Sequence, residues 1–474
     1  MIIEIIRATK KITALSNLAP VQRSPDKNRK IGEEMTKMKL FKKTMLVLGA
    51  VLAAIPLLSA DALAIPAWAR KYGVSCNVCH TAGYKLTRTG GKFLREGMQL
   101  PGVPAKEANL SDYLSIAAKL RTWASNKLTS TLATGAEVSE PRTSFEAHAL
   151  SLYSGGPLDS GFSYFAEMYL HENERKNPLE NNEANNSDMG DWGRSRLAEM
   201  YLTYTKPLGK PESEMFFTAK AGRLMACPLP GLGARLAYSR PLALTTQANS
   251  ENPYRAFNRQ YGAGAGLGYK GAYAEAGALN GTGKHENSVE IGTDTYKDLY
   301  FTLEYGFGDK GSTVGAYYYT GRYRSDFSNP GTYKSADKFN QLGLYTDYTY
   351  DFLGLKGAFV GAYVAGENKY STSVKTGYKQ RSEGYYGELQ SHLYDGKLAP
   401  YVRWDYFDPD TRFKDNETAG PVLGLHYKPM EHGRFVLEYL KTEARNASSN
   451  GAAVTAATRK TTTRNFTLEM QFIF

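Results

Sequence analysis

Three side chains near the front of this 474-residue chain are spaced for chemistry. Cys76, Cys79 and His80, within "VSCNVCHTAGYKL", make the pattern C-x-x-C-H. Two thiols one turn apart with an imidazole directly behind them suit covalent attachment of a c-type haem. The thiols would bond the vinyl groups, and His80 Nε2 would be the proximal iron ligand. A zinc site would need a second pair of ligands, and the remaining cysteine, Cys227, stands alone in "ACPLPG". The expected cofactor is therefore one covalently bound c-type haem, held by Cys76, Cys79 and His80.

The sixth coordination position is open to several residues. Met98, soon after His80, is the first candidate, since a thioether ligand raises haem potential. A methionine in a small module also serves as packing. His148 and His392 fall on or near faces expected to point inward and are its rivals, with His426 ranked below them. His171, His285 and His432 sit near loops or turns.

The elements that must position these residues begin with an export signal. The apolar run "TMLVLGAVLAAIPLL" at 44–58 follows Lys37, Lys39, Lys42 and Lys43, and Ala62 and Ala64 stand at −3 and −1 of a cleavage site before Ile65. That is the pattern of a secretory signal peptide. Residues 1–34 read as an upstream segment, with the true start at Met35 or Met38. Export delivers the cysteines to the compartment where c-type haems are attached. Without a disulfide framework, the chain suits a Gram-negative envelope protein. Residues 65–112 form the next unit, near the size below which a core needs a staple. A covalently held haem can be that staple.

From 113 to 474 one pattern recurs. Mean hydropathy is −0.45, yet there are 34 Tyr and 20 Phe. Segments of nine to twelve residues alternate apolar and polar between Gly, Asn, Asp, Pro or Lys clusters. In "DLYFTLEYGF", Leu299, Phe301, Leu303, Tyr305 and Phe307 share one face, opposite Thr302 and Glu304. "YVRWDYF" sets Val402, Trp404 and Tyr406 against Arg403 and Asp405. The last segment sets Phe466, Leu468, Met470, Phe472 and Phe474 against Thr467, Glu469 and Gln471.

Segments of about ten residues, tilted, cover the roughly 25 Å apolar band of an outer membrane. Tyr and Phe crowd their ends, as interfacial girdles require. The terminal Phe474 resembles the assembly signal of outer-membrane barrels. The predicted class is all-β: an antiparallel transmembrane barrel of about sixteen strands over 113–474. Starts fall near 113, 142, 161, 195, 214, 258, 271, 297, 312, 338, 355, 383, 397, 419, 433 and 464. "YKGAY", "GDKGS", "DFLGL", "YDGKL" and "KPMEHG" read as tight turns. Long polar loops are expected at 173–194, 226–257, 280–296, 323–336, 368–382, 408–418 and 444–463. Short periplasmic turns and long extracellular loops follow, so the haem module must approach from the periplasm and plug the lumen.

The segment "AIPAWARKYGVSCNVCHTAGYKLTRTGGKFLREGM" resembles the N-terminal module of the fused outer-membrane monohaem cytochrome–porins of iron-oxidising bacteria. That module reads A-x-P-x-F-A-R-x-x-G-x-x-C-x-x-C-H, then P-x-L, F-G-R-x-F and G-Y. The chain matches at Ala64, Pro66, Ala69, Arg70, Gly73, Cys76, Cys79, His80, Leu86, Gly90, Phe93 and Gly97. Trp68 replaces the Phe; Tyr84, Thr89, Gly91 and Met98 depart from the pattern. The resemblance covers about 35 residues. It implies a porin-held haem that passes electrons from an extracellular donor, typically Fe(II), to a periplasmic cytochrome c. The corresponding activity is Fe(II) oxidation of the iron:cytochrome oxidoreductase type.

Two other functions fit the same sequence features. One is an outward electron conduit to extracellular acceptors; the other is a diffusion porin gated by its haem module. Inward-facing carboxylates at Glu167, Glu199, Glu304, Asp405 and Glu469 suit a cation path as well as an ordinary polar pore wall. The Asn/Glu-rich run at 171–192 offers hard oxygen ligands to Fe(II). The formal net charge is +11, more than half of it within residues 1–64. The remainder is spread out, without the basic stripe that nucleic-acid binding requires.

Overall fold

The computed structural model describes residues 66–83, 85–100, 112–131, 135–172, 196–210, 214–225, 235–245, 259–281, 296–323, 337–369, 378–413, 416–446 and 459–474. The proposed signal peptide and start sites, Cys227, His285 and most of the acidic 171–192 run lie outside them.

Sixteen antiparallel strands close into one barrel. They are β1 (Leu114–Thr131), β2 (Glu137–Pro157), β3 (Phe162–Glu172), β4 (Arg196–Leu208), β5 (Met215–Met225), β6 (Arg259–Tyr269), β7 (Ala272–Leu279) and β8 (Asp298–Phe307). The second half holds β9 (Ser312–Tyr323), β10 (Asp337–Phe352), β11 (Leu355–Lys369), β12 (Lys379–Ser391), β13 (Leu398–Asp408), β14 (Thr418–Met430), β15 (Gly433–Asn446) and β16 (Arg459–Ile473). Each strand pairs with its sequence neighbours, and β1 pairs with β16 from Ala117↔Ile473 to Thr131↔Arg459, so no edge is left open.

The alternation sorts the side chains as the pattern requires. Leu299, Phe301, Leu303 and Tyr305 face outward at about half exposure, while Tyr300, Thr302 and Glu304 are buried. Val402 and Trp404 face out; Arg403 and Asp405 face in. A closed sheet satisfies every ladder hydrogen bond, which is what permits strands to cross hydrocarbon. Among the described residues no helix is long and apolar enough to do so.

Connections alternate in length. β6–β7, β10–β11 and β14–β15 turn at Lys270–Gly271, Leu353–Gly354 and Glu431–His432, whereas β3–β4 and β5–β6 are separated by more than twenty residues. An epitope inserted at 173–194 or 447–458 is expected to bind antibody on intact cells. One at Leu353–Gly354 or Glu431–His432 is expected to stay silent until the cells are permeabilised. Labelling of both sets on intact cells would overturn this orientation.

Two described segments outside the strands pack against the inner face of the barrel. Residues 66–100 contribute α1 (Pro66–Tyr72), a 3-10 turn (Cys76–Val78) and α2 (Arg88–Arg95). Ala67 N donates to Ser115 Oγ at 3.0 Å, and Trp68 Nε1 donates to Gly155 O at 3.0 Å. Lys85 and Asp347 form a buried ion pair, Arg95 pairs with Glu304, and Lys92 Nζ lies 3.0 Å from Glu214 Oε1.

A second inward segment, 235–245, ends in the short helix α3 (Leu242–Thr245). Its backbone amides are held by strand carboxylates: Leu236 N donates to Glu388 Oε1 at 2.7 Å and Tyr238 N to Glu438 Oε2 at 2.8 Å. Arg403 donates to Ser239 O and Oγ, each at 2.8 Å. A water-filled pore would be polar throughout, yet one inner wall presents Ala358, Val360, Ala362 and Val364, which cluster with Leu244 of α3. These residues behave as a core because protein, not water, lies against them.

Candidate functional site

The local sequence around the cysteines builds a compact turn. Cys76 opens the 3-10 turn, and both Cys79 N and His80 N donate to Cys76 O, at 3.2 and 3.0 Å. Thr87 caps α2 through Gly90 N→Oγ1 at 3.1 Å, while its hydroxyl donates to Val78 O at 2.6 Å. One residue thus ties the helix start to the cysteine turn. A Cβ at Gly90 would overlap the Cys79 carbonyl, so only glycine lets α2 pack this closely.

Beyond α2 the chain closes a Schellman motif. Gly97 takes φ +73°, and Met98 N donates to Phe93 O at 2.8 Å. Met98 itself sits at φ +58°, a left-handed conformation that costs an ordinary residue about 1 kcal/mol. Tyr72 Oη fixes it from the other side by donating to Met98 O at 2.9 Å.

These turns face one cavity of about 420 Å³, lined by Cys76, Cys79, His80 and Met98 together with Trp68, Tyr72, Phe93 and Leu100 of the same segment. The barrel contributes Tyr153, Phe165, Glu199, Tyr201, Gln471 and Ile473. Trp68 and Phe93 meet edge to face with centroids 5.1 Å apart, and Trp68 lies 6.1 Å from Phe165. The cavity wall is therefore one core shared by the N-terminal segment and the barrel.

The residues present fit a haem. Both cysteine sulfurs are outside any disulfide, share an apolar cavity with His80, and have Met98 on that same cavity. Burial, with Cys76 adding to it, pushes the Cys79 thiol up to about 11, so it is neutral at physiological pH. Among the described residues no group of three or more His, Cys, Asp or Glu is placed to hold a metal ion.

The rival histidines lie elsewhere. His148 Nδ1 is 3.2 Å from Arg121 Nη1, and His392 Nε2 is 3.0 Å from Gln390 Oε1. His426 is fully buried, close to Gly83 and Leu236. None of the three lines the cavity. His171 is near the long-loop end, 3.1 Å from Ala147 O.

The inward carboxylates do face the lumen, but each meets an arginine. Glu167 and Glu199 lie 2.6 and 3.0 Å from Arg259, Glu469 lies 2.6 Å from Arg121, Asp405 lies 2.9 Å from Arg403, and Glu304 pairs with Arg95. They are therefore engaged in ion pairs, two of them sharing Arg259, and do not form an open row of cation ligands. Sequence reading missed Arg259 and the 235–245 segment. The only available signal was that five inward acids in one barrel need counter-charges.

No protein-family model matches the chain, and no curated protein does. Solved structures similar to it include an anion-selective porin from Comamonas acidovorans, at 11% identity and a TM-score of 0.46, covering 76% of this chain and 99% of the porin. The outer-membrane-expressed OmpT of Vibrio cholerae aligns at 12% identity and a TM-score of 0.44, over 76% of this chain and 97% of its own. The outer-membrane channel DcaP of Acinetobacter baumannii aligns at 12% identity and a TM-score of 0.45, with the same coverages. Independently of these, a closed sixteen-strand barrel with an apolar outer face is an outer-membrane protein.

Proposed function

We propose that residues 65–112 form a monohaem cytochrome c module seated in a porin-like barrel. The chain would move electrons across the outer membrane, from extracellular Fe(II) or a similar donor to a periplasmic carrier. The observation that carries this reading is the convergence of Cys76, Cys79, His80 and Met98 on one largely apolar cavity inside the lumen. A c-type haem bound there supplies reversible one-electron chemistry at its iron.

This chain's residues would do the rest. Cys76 and Cys79 would anchor the group covalently through their sulfurs, and His80 Nε2 and the Met98 thioether would be available to its iron. Trp68, Phe93 and Phe165 exclude water from the cavity. The segments packed against the inner wall would hinder bulk solute while electrons cross. Each Fe(II) that becomes Fe(III) outside yields one electron, removed at the short-turn end by a periplasmic one-electron acceptor such as a soluble cytochrome c.

In sealed liposomes holding the full chain in one orientation, Fe(II) added on the long-loop side is expected to reduce the haem within seconds to minutes. Reduction only after detergent opens the vesicles would sink the conduit. A gated diffusion porin would instead show solute flux that follows the haem redox state.

A further inference from the structure

We infer that Arg259, which does not line the cavity, is a positioning residue that sets its electrostatic bias through Glu199 and Glu167. This rests on the haem reading above. Glu199 and Tyr153 line the cavity. Tyr153 Oη donates to Glu167 Oε1 at 2.9 Å, so Glu167 stands directly behind that wall. Glu167 and Glu199 are register partners on β3 and β4, which places two carboxylates side by side.

Arg259, the first residue of β6, reaches across both strands. Its Nη2 lies 2.6 Å from Glu167 Oε2, its Nε 3.0 Å from Glu199 Oε2, and its Nη1 donates to Tyr169 Oη at 3.4 Å. One guanidinium thus serves two acids. The next cation acting on Glu199, Lys220, is engaged with Glu275 at 2.8 Å. With both acids ionised, the wall carries one net negative charge beside Arg259 and two without it.

Negative charge beside a redox iron favours its oxidised, more positive form. Arg259 therefore keeps the centre reducible by a weak donor, and it does so on the side turned toward the long-loop end. Because β6 begins there and β3 ends there, this is where an electron from outside would arrive.

The test is a redox titration, at pH 8, of the full-length chain carrying its haem. Arg259→Gln is expected to shift the haem equilibrium about tenfold toward the oxidised form, a fall of about 59 mV for one electron. Glu199→Gln is expected to raise the potential, the double variant to return toward the parent, and Arg259→Lys to stay close to it. A merely structural role for Arg259 would not produce opposite shifts from its removal and from the removal of its partner. Haem staining of each variant keeps the outcomes separate. A parent without haem removes both readings. Haem present in all variants, with unchanged potentials, overturns this inference alone. Should Arg259→Gln fail to assemble, Glu199→Gln and Arg259→Lys still decide it: a Glu199→Gln potential equal to the parent's rejects the bias.

Discussion

Replacing Cys76 or Cys79 by alanine is expected to abolish the haem stain of the denatured protein. Stain that survives denaturation reports a covalent bond, and the only described thiols on the cavity are these two. Alanine keeps the main-chain bonds of Cys79 N and His80 N to Cys76 O, so the turn that carries His80 is expected to persist and only the tether is lost. The barrel is expected to assemble regardless. Its strands close on themselves through β1 and β16, and residues 66–100 add no strand to the sheet. The measurement is haem staining beside an immunoblot of outer-membrane fractions. Parent-level stain in either variant would remove the two-thioether attachment.

Deleting residues 65 to 112 is expected to turn a nearly closed barrel into a conducting one and to erase its redox signal. The segment's described residues, 66–83 and 85–100, are tied to inward-facing strand residues by Lys85–Asp347, Arg95–Glu304 and the Trp68 and Ala67 hydrogen bonds. Removing it strands Asp347 and Glu304, which would be costly in a dry core but tolerable in a lumen that then fills with water. The barrel should therefore persist, with bilayer conductance rising from near baseline to the range of an open porin. Conductance unchanged from the parent would assign the seal to segment 235–245 instead. That segment is bound separately by Glu388, Glu438 and Arg403.

Strand positions were legible because alternation has a period of two and outward faces must be apolar. β6, β7, β8, β9, β10 and β11 begin within a residue of where the pattern places them. β2, β12 and β16 begin four or five residues earlier, at Glu137, Lys379 and Arg459. There the strands run past the apolar band, and the hydrophobic signal stops although the hydrogen-bond ladder continues. β1 and β2, at 18 and 21 residues, are long enough to project well beyond it. For the same reason, the loops expected at 368–382, 408–418 and 444–463 are shorter than they read.

By itself the sequence determined the C-x-x-C-H spacing, the strand count and which face of each strand meets lipid, with haem attachment and the export signal as expectations. These depend on spacing along one segment and on a solvent boundary every strand feels alike. Only the tertiary structure decided which inward residues meet. Met98 reaches the cavity through a Schellman turn, while His148, His392 and His426 stay off it. Glu167 and Glu199 share an arginine about sixty residues or more along the chain. The 235–245 segment turns inward onto carboxylates of β12 and β15. Such pairings follow from barrel closure, which sets strands distant in sequence across one narrow lumen, and no periodicity within a strand records its neighbours there.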